Sequence, residues 1–132
     1  MQRQILFGSL IMAVSTASHI TILVLMIGFL PELSARDFGD VVILGAAFVA
    51  ILAGHTIEVW IWAFAFKWTR ALETLEEGVY FALVTTTTLG YGDVTLAREW
   101  RIFGAMASVS GLMTFGLSTA FLIDVFARIY SP

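Results

Sequence analysis

Cysteine is absent from the 132 residues, so disulfides, thiolate metal ligands and thiol chemistry are excluded, and the redox compartment leaves no mark. Charge is scarce: seven Lys and Arg against ten Asp and Glu make 13% of the chain and a net charge of -3. No run of like charges occurs, so neither nucleic acid nor an acidic partner is indicated. No repeat or low-complexity segment occurs either. What is present is hydrophobic, 59% of the chain, far from the balance of a soluble domain.

That hydrophobicity is gathered into three blocks, Ile5 to Leu30, Val41 to Phe66 and Ile102 to Ile129. A membrane-crossing helix needs roughly 20 apolar residues, and each block supplies them. Arg3 before the first block and small residues at Ser15 and Ala17 resemble a secretory signal, but the apolar run continues past that point for about a dozen more residues, which favours a retained span. The first block ends at Pro31. The polar stretch PELSARDFGD (residues 31–40) is short enough to dictate an antiparallel pair of helices. The second block closes in VWIWAFAFKW, where Trp60, Trp62 and Trp68 with Lys67 read as an interfacial aromatic belt.

Between Lys67 and Arg101 the pattern changes. TLEE at 74–77 has the spacing of a capping box and announces a helix. The following GVYFALVTT gives about three turns, half of what a bilayer requires. Such a helix enters and stops, and irregular backbone at membrane depth is tolerated only where protein or a water-filled cavity satisfies it. The stretch after it, TTTTLGYGD at residues 85–93, is therefore expected to line a pore or a site. Gly90 and Gly92 alternate with Leu89 and Tyr91. Glycine takes positive φ cheaply, and such alternation turns successive carbonyls to one side. With the Thr88 hydroxyl, a ring of those oxygens can replace the hydration shell of a monovalent cation, the device that potassium-channel filters use. The competing reading is a glycine-rich turn between two helices in a protein that conducts nothing.

TTLGYGD resembles the filter signature of the tetrameric potassium channels, with Leu89 where valine or isoleucine is usual. The likeness extends from Val41 to Ile129 and includes SGLMTFGLSTA at 110–120 in the inner helix. It implies an all-α membrane protein of three transmembrane helices and a re-entrant pore helix per chain, assembled as a fourfold-symmetric tetramer. Residues 1–34 would be an extra N-terminal helix and 35–132 the pore domain, with outer helix 41–66, pore helix 75–86, filter 87–93 and inner helix 101–129. By the same resemblance, Thr87, Thr88, Leu89, Gly90, Tyr91 and Gly92 form the ion-binding filter, with K+ held at Thr88, Leu89, Gly90 and Tyr91. Asp93 braces it, and Tyr80 and Phe81 pack around it. Val84 stands where some members carry the glutamate that pairs with the aspartate after the filter, so the partner of Asp93 is open. The carboxyl end of the pore helix, near Thr86, would direct its partial negative charge at the ion. Gly111 matches the gating-hinge position, and Gly116 is either a second hinge or a point of close packing with the pore helix.

Polar residues inside the spans need separate accounts. His19 in the first span and His55 and Glu58 in the second lie at similar depth, with Ser15, Thr16 and Ser18 close enough to hydrogen-bond to them. Three readings stand: a polar cluster that fastens the extra helix, a proton sensor, or a metal site that lacks a fourth ligand in the sequence. With Thr119 turned to the cavity, as the resemblance implies, Asp124 is expected to face away from the pore and pair with Arg128 at i+4, the alternative being a cation-attracting role.

The implied function is potassium-selective passive conduction at the cell membrane by a multi-pass protein. Its alternatives are a non-selective cation channel and a non-conducting accessory subunit of a transporter. Partners are further copies of the chain and the lipid bilayer, and gating falls to the filter, the inner-helix crossing, protons, lipid or a separate regulatory subunit. No cofactor beyond the transported K+ is expected, and no enzyme, because no nucleophile, base and orienter meet near an aqueous face. The family orientation puts the N-terminus outside and the C-terminus inside. The positive charges count against it, since Arg3, Lys67, Arg70, Arg98 and Arg101 then lie outside and only Arg36 and Arg128 inside.

Overall fold

The computed structural model describes residues 2–35 and 39–130, with the side chains of 30–38 left out of the description. Among the described residues four α-helices follow one another: α1 (Gln2–Ala35), α2 (Asp40–Trp68), α3 (Leu75–Thr86) and α4 (Arg101–Tyr130), the last entered through a single 3-10 turn at Arg98–Trp100. The described residues contain three helices long and apolar enough to cross a membrane, within Gln2–Phe29, Asp40–Trp68 and Arg98–Tyr130. The protein is an all-α membrane protein. At 1.5 Å per residue α2 and α4 reach about 45 Å, whereas the 12 residues of α3 reach only about 18 Å.

α1 continues four residues past Pro31, where the sequence suggested it would end. Proline inside a helix forfeits one N–H bond, and membrane helices tolerate that loss. Arg36 and Asp37 of the expected connection lie outside the described residues. α2 ends at Trp68 with Thr69 capping it, and the chain reverses through Arg70, held at φ 57°. Lys67 donates to the Glu73 carbonyl across this turn. α3 then starts on the reciprocal capping box: Glu77 N–H donates to Thr74 Oγ1 at 3.1 Å, and Thr74 N–H donates to Glu77 Oε2 at 3.0 Å.

α1 packs on α2 and α4, and α3 lies in the angle between α2 and α4. Two apolar clusters result. One gathers Val59, Trp62, Phe66, Leu72, Ala82, Leu96, Phe103 and Ala107, with Phe7 and Phe81 against it. The other gathers Leu23, Met26, Ile43, Ala47, Ile51, Phe121 and Val125 towards the opposite end of the helices. Trp62 departs from the expected aromatic belt. Two residues along a helix turn through about 200°, so Trp60 and Trp62 face opposite ways. Trp60 is exposed while Trp62 is wholly buried, its ring centroid 5.4 Å from that of Phe103 and 5.7 Å from that of Phe66. Gln4 ties the start of α1 to the start of α4 by accepting from the Phe103 N–H at 3.3 Å.

Candidate functional site

α3 ends where threonines take over from apolar residues. The hydroxyls of Thr86 and Thr87 donate back to the carbonyls of Ala82 and Leu83 at 2.7 and 2.6 Å, so these side chains turn to their own helix. Three backbone N–H groups then fold back onto the last turn: Thr87 to Leu83, Thr88 to Thr85 and Gly90 to Val84. The carbonyls at the carboxyl end of the helix are thus partly occupied by the chain's own donors. This moderates the expectation that the helix end directs an unshared negative charge at an ion.

Beyond that point φ is positive at Thr88 (60°), Gly90 (57°) and Gly92 (81°) and not at Leu89 or Tyr91. Left-handed and ordinary conformations therefore alternate over five residues. Gly90 and Gly92 adopt theirs at little cost, while Thr88 carries strain on the order of 1–2 kcal/mol. Among the described residues the carbonyls of 87–92 accept no backbone hydrogen bond, and the whole stretch from Thr87 to Asp93 is exposed in the isolated chain. One edge of the segment is fixed from behind. The Tyr80 hydroxyl on α3 donates to Asp93 Oδ2, and Asp93 Oδ1 accepts from the Val94 N–H at 3.0 Å. The Tyr80 hydrogen bond holds the Asp93 carboxyl below its ordinary range and raises the Tyr80 phenol above its own. Tyr80 is thus the partner that Val84 could not supply. Phe81, one residue on, points elsewhere and meets Phe66 edge to face at 5.1 Å.

At Gly111 α4 lies against the end of α3. A Cβ built there lies 2.1 Å from the Thr86 carbonyl oxygen, so only glycine admits the contact. Gly116, the position at which the sequence raised close packing with the pore helix, has nothing within 4 Å of its would-be Cβ. The close approach within the chain belongs to Gly111, and α4 is continuous through both glycines.

Residues 54–128 match the ion channel family. This chain belongs to the potassium-channel pore-domain family of ion channels. A stretch of 52 residues is 41% identical to the A-type voltage-gated potassium channel KCND3 of rat, and the same holds for the human and mouse proteins. That stretch is 39% of this chain and 8% of those relatives' length. No solved structure matches the chain.

In this pore-domain chain a polar layer separates the two apolar clusters, and its full membership was not visible in the sequence. Glu58, 1% exposed, accepts from Ser110 at 2.8 Å and Thr114 at 2.7 Å, both on α4, and faces His55 Nδ1 at 3.4 Å. His19, wholly buried, has its Nε2 2.9 Å from Ser118 Oγ. Ser118 Oγ stands 3.3 Å from His55 Nε2 as well. The cluster therefore fastens α1 and α2 to α4, not α1 to α2 alone. Of the three candidates on α1, Ser15 reaches Ser110 at 3.5 Å, and Ser18 donates to its own helix at the Ser15 carbonyl. Ser110, Thr114 and Ser118 recur every four residues on one face of α4, a spacing that could have identified them. Gly54 leaves room for the His19 ring, since a Cβ there would lie 2.6 Å from Nδ1. Asp124 accepts from Arg128 Nε at 2.7 Å on the exposed side of α4, the i, i+4 pair expected.

Proposed function

We propose that the chain is one subunit of a potassium-selective channel at the cell membrane, in which four copies surround a central axis and conduct K+ passively. The observation that carries this reading is the alternation of backbone hand from Thr88 to Gly92, with unpaired carbonyls, at the end of a helix too short to span. A single segment offers one wall; several related by rotation would enclose a dehydrated cation. In this reading the carbonyls of Thr88, Leu89, Gly90 and Tyr91 and the Thr88 hydroxyl bind K+. Thr87 and Gly92 flank them, the Tyr80–Asp93 bond braces the segment, and Phe81 anchors α3 to α2. Residues 35–132 would form the pore domain and 1–34 an additional helix on its flank. Gly111 would be the pivot at which α4 moves against the pore helix, with Gly116 free to bend. Leu89 replaces a valine or isoleucine, but it contributes a carbonyl, so selectivity persists.

The likeness to KCND3, named a potassium channel, supports potassium over other cations. The test is the mass of the purified assembly together with potassium uptake into liposomes containing this protein alone. Four chains and uptake that fails in Gly90→Ala are expected. A monomer or dimer, or uptake untouched by that substitution, overturns the proposal. Equal sodium and potassium uptake would instead make it a non-selective channel.

A further inference from the structure

We propose that His19, His55 and Glu58, joined by Ser118, form a binding site for a divalent transition-metal cation of the zinc type that clamps α1 to the channel fold. One ligating atom from each of the first three residues lies within 4.8 Å of the other two. The two imidazole rings sit 4.7 Å apart between centroids. Their Nε2 atoms converge on one point, now taken by Ser118 Oγ at 2.9 and 3.3 Å.

Hydrogen bonding favours a cation at that point. His55 Nδ1 faces the Glu58 carboxylate at 3.4 Å, so without metal the ring proton sits between them, and a cation that draws in Glu58 takes the place of that proton. Ser118 has one proton to give, and the Thr114 carbonyl at 2.9 Å competes for it with both ring nitrogens. His19 Nδ1 is buried without a hydrogen-bond partner, so the ring has a second nitrogen available to carry its proton or turn inward. Glu58 is fixed by the Ser110 and Thr114 hydroxyls, the outer support that metal-bound carboxylates commonly have.

Charge points the same way. With both rings neutral the layer holds one carboxylate charge between two apolar clusters, an expensive condition inside a membrane. A dication offsets it. Two imidazole nitrogens, a carboxylate oxygen and a hydroxyl suit zinc, cobalt or nickel better than magnesium or calcium. Neighbouring ligands of tetrahedral zinc stand about 3.3 Å apart for bonds of about 2.0–2.1 Å. Closing the site requires the His55 ring to turn so that its unprotonated nitrogen shares a side with the Glu58 carboxylate, and Ser118 Oγ to move off the central point and serve as fourth ligand. The sequence offered no such ligand; α4 provides it. The four residues come from α1, α2 and α4, and none belongs to the segment proposed to bind K+, so the site stands or falls independently of conduction.

The experiment is titration of the metal-free, tag-free protein in detergent with Co2+, followed by its visible absorption and by displacement with Zn2+. One site per chain is expected, with the intense bands of four-coordinate cobalt. Glu58→Gln, which keeps one oxygen to accept from the Ser110 or the Thr114 hydroxyl, should lower the affinity at least about tenfold, and His19→Ala likewise. Zinc-edge absorption of the wild-type protein, which needs no variant to fold, should show two imidazoles per metal. Absence of saturable binding, binding unchanged in both variants, or a zinc spectrum without imidazole would each overturn the site. So would an unligated cluster that merely takes up a proton, seen as histidine ring resonances that titrate alike with and without Zn2+.

Discussion

Replacing Gly111 with alanine tests the contact that joins the inner helix to the end of the short helix. A Cβ there stands 2.1 Å from the Thr86 carbonyl oxygen and 2.7 Å from its carbonyl carbon, against 3.4 Å for ordinary contact. The helices must separate by at least about 1.3 Å, and both surfaces are backbone, so no side-chain rotation relieves the clash. Overpacking of this kind costs about 1–3 kcal/mol, and the backbone partners put it at the upper end. Alanine returns up to about 1 kcal/mol through its better helix propensity. The net loss of about 1–2 kcal/mol corresponds to a fall of roughly 4–7 °C in thermal midpoint for a domain of this size. Gly116→Ala has nothing to meet within the chain and gains the propensity alone, so it should be neutral or slightly stabilising. Thermal unfolding of both variants in the same detergent, followed by circular dichroism, makes the comparison. A Gly111→Ala protein as stable as wild type, or one more stable than Gly116→Ala, would refute the reasoning.

Glu58→Ala should cost about 1–3 kcal/mol in the same unfolding assay, because His55 and the Ser110 and Thr114 hydroxyls lose the acceptor they share; Glu58→Gln should cost less, and equal losses would contradict the hydrogen-bond account. Tyr80→Phe removes the donor that depresses the Asp93 carboxyl. A depressed carboxyl contributes stability above its unfolded value of about 3.9 and loses it as pH falls through the lower folded value, while the raised Tyr80 phenol sustains its share up to about pH 10. The stability difference between wild type and Tyr80→Phe should therefore be widest from about pH 5 to 9 and vanish in stronger acid; a difference as large at pH 3 as at pH 7 would contradict the bond. Gly90→Ala places a side chain at φ 57°, at a cost of about 1–2 kcal/mol, and should abolish potassium uptake while the helical signal persists.

The architecture was legible because apolar blocks and a capping box carry direct physical meaning. Three runs of more than 20 residues have few alternatives to spanning, and Thr74 with Glu77 declared the start of α3. The segment from Thr87 to Asp93 was legible through Gly90 and Gly92, although positive φ at Thr88 was not, since threonine reaches that region only under constraint. Trp62 was misplaced because a cluster of tryptophans was assigned together without following the helix around its axis. The polar layer was half legible. Ionisable residues at matching depth drew attention to His19, His55 and Glu58, but Ser110, Thr114 and Ser118 looked like ordinary small residues of a membrane helix. Their role depends on which face of α4 turns inward, and that is decided by packing. The partner of Asp93 was hidden for a similar reason: Tyr80 and Phe81 appeared as one aromatic pair, yet adjacent positions on a helix diverge by about 100°.

The central claim is that backbone carbonyls of identical chains replace the water around K+. Its most direct measurement is the reversal potential of currents through planar bilayers containing only this protein, with potassium on one side and sodium on the other. The account predicts a potential close to that of a membrane permeable to potassium alone, lost in Gly90→Ala. A reversal potential near zero, or no current from a correctly folded assembly, would contradict it.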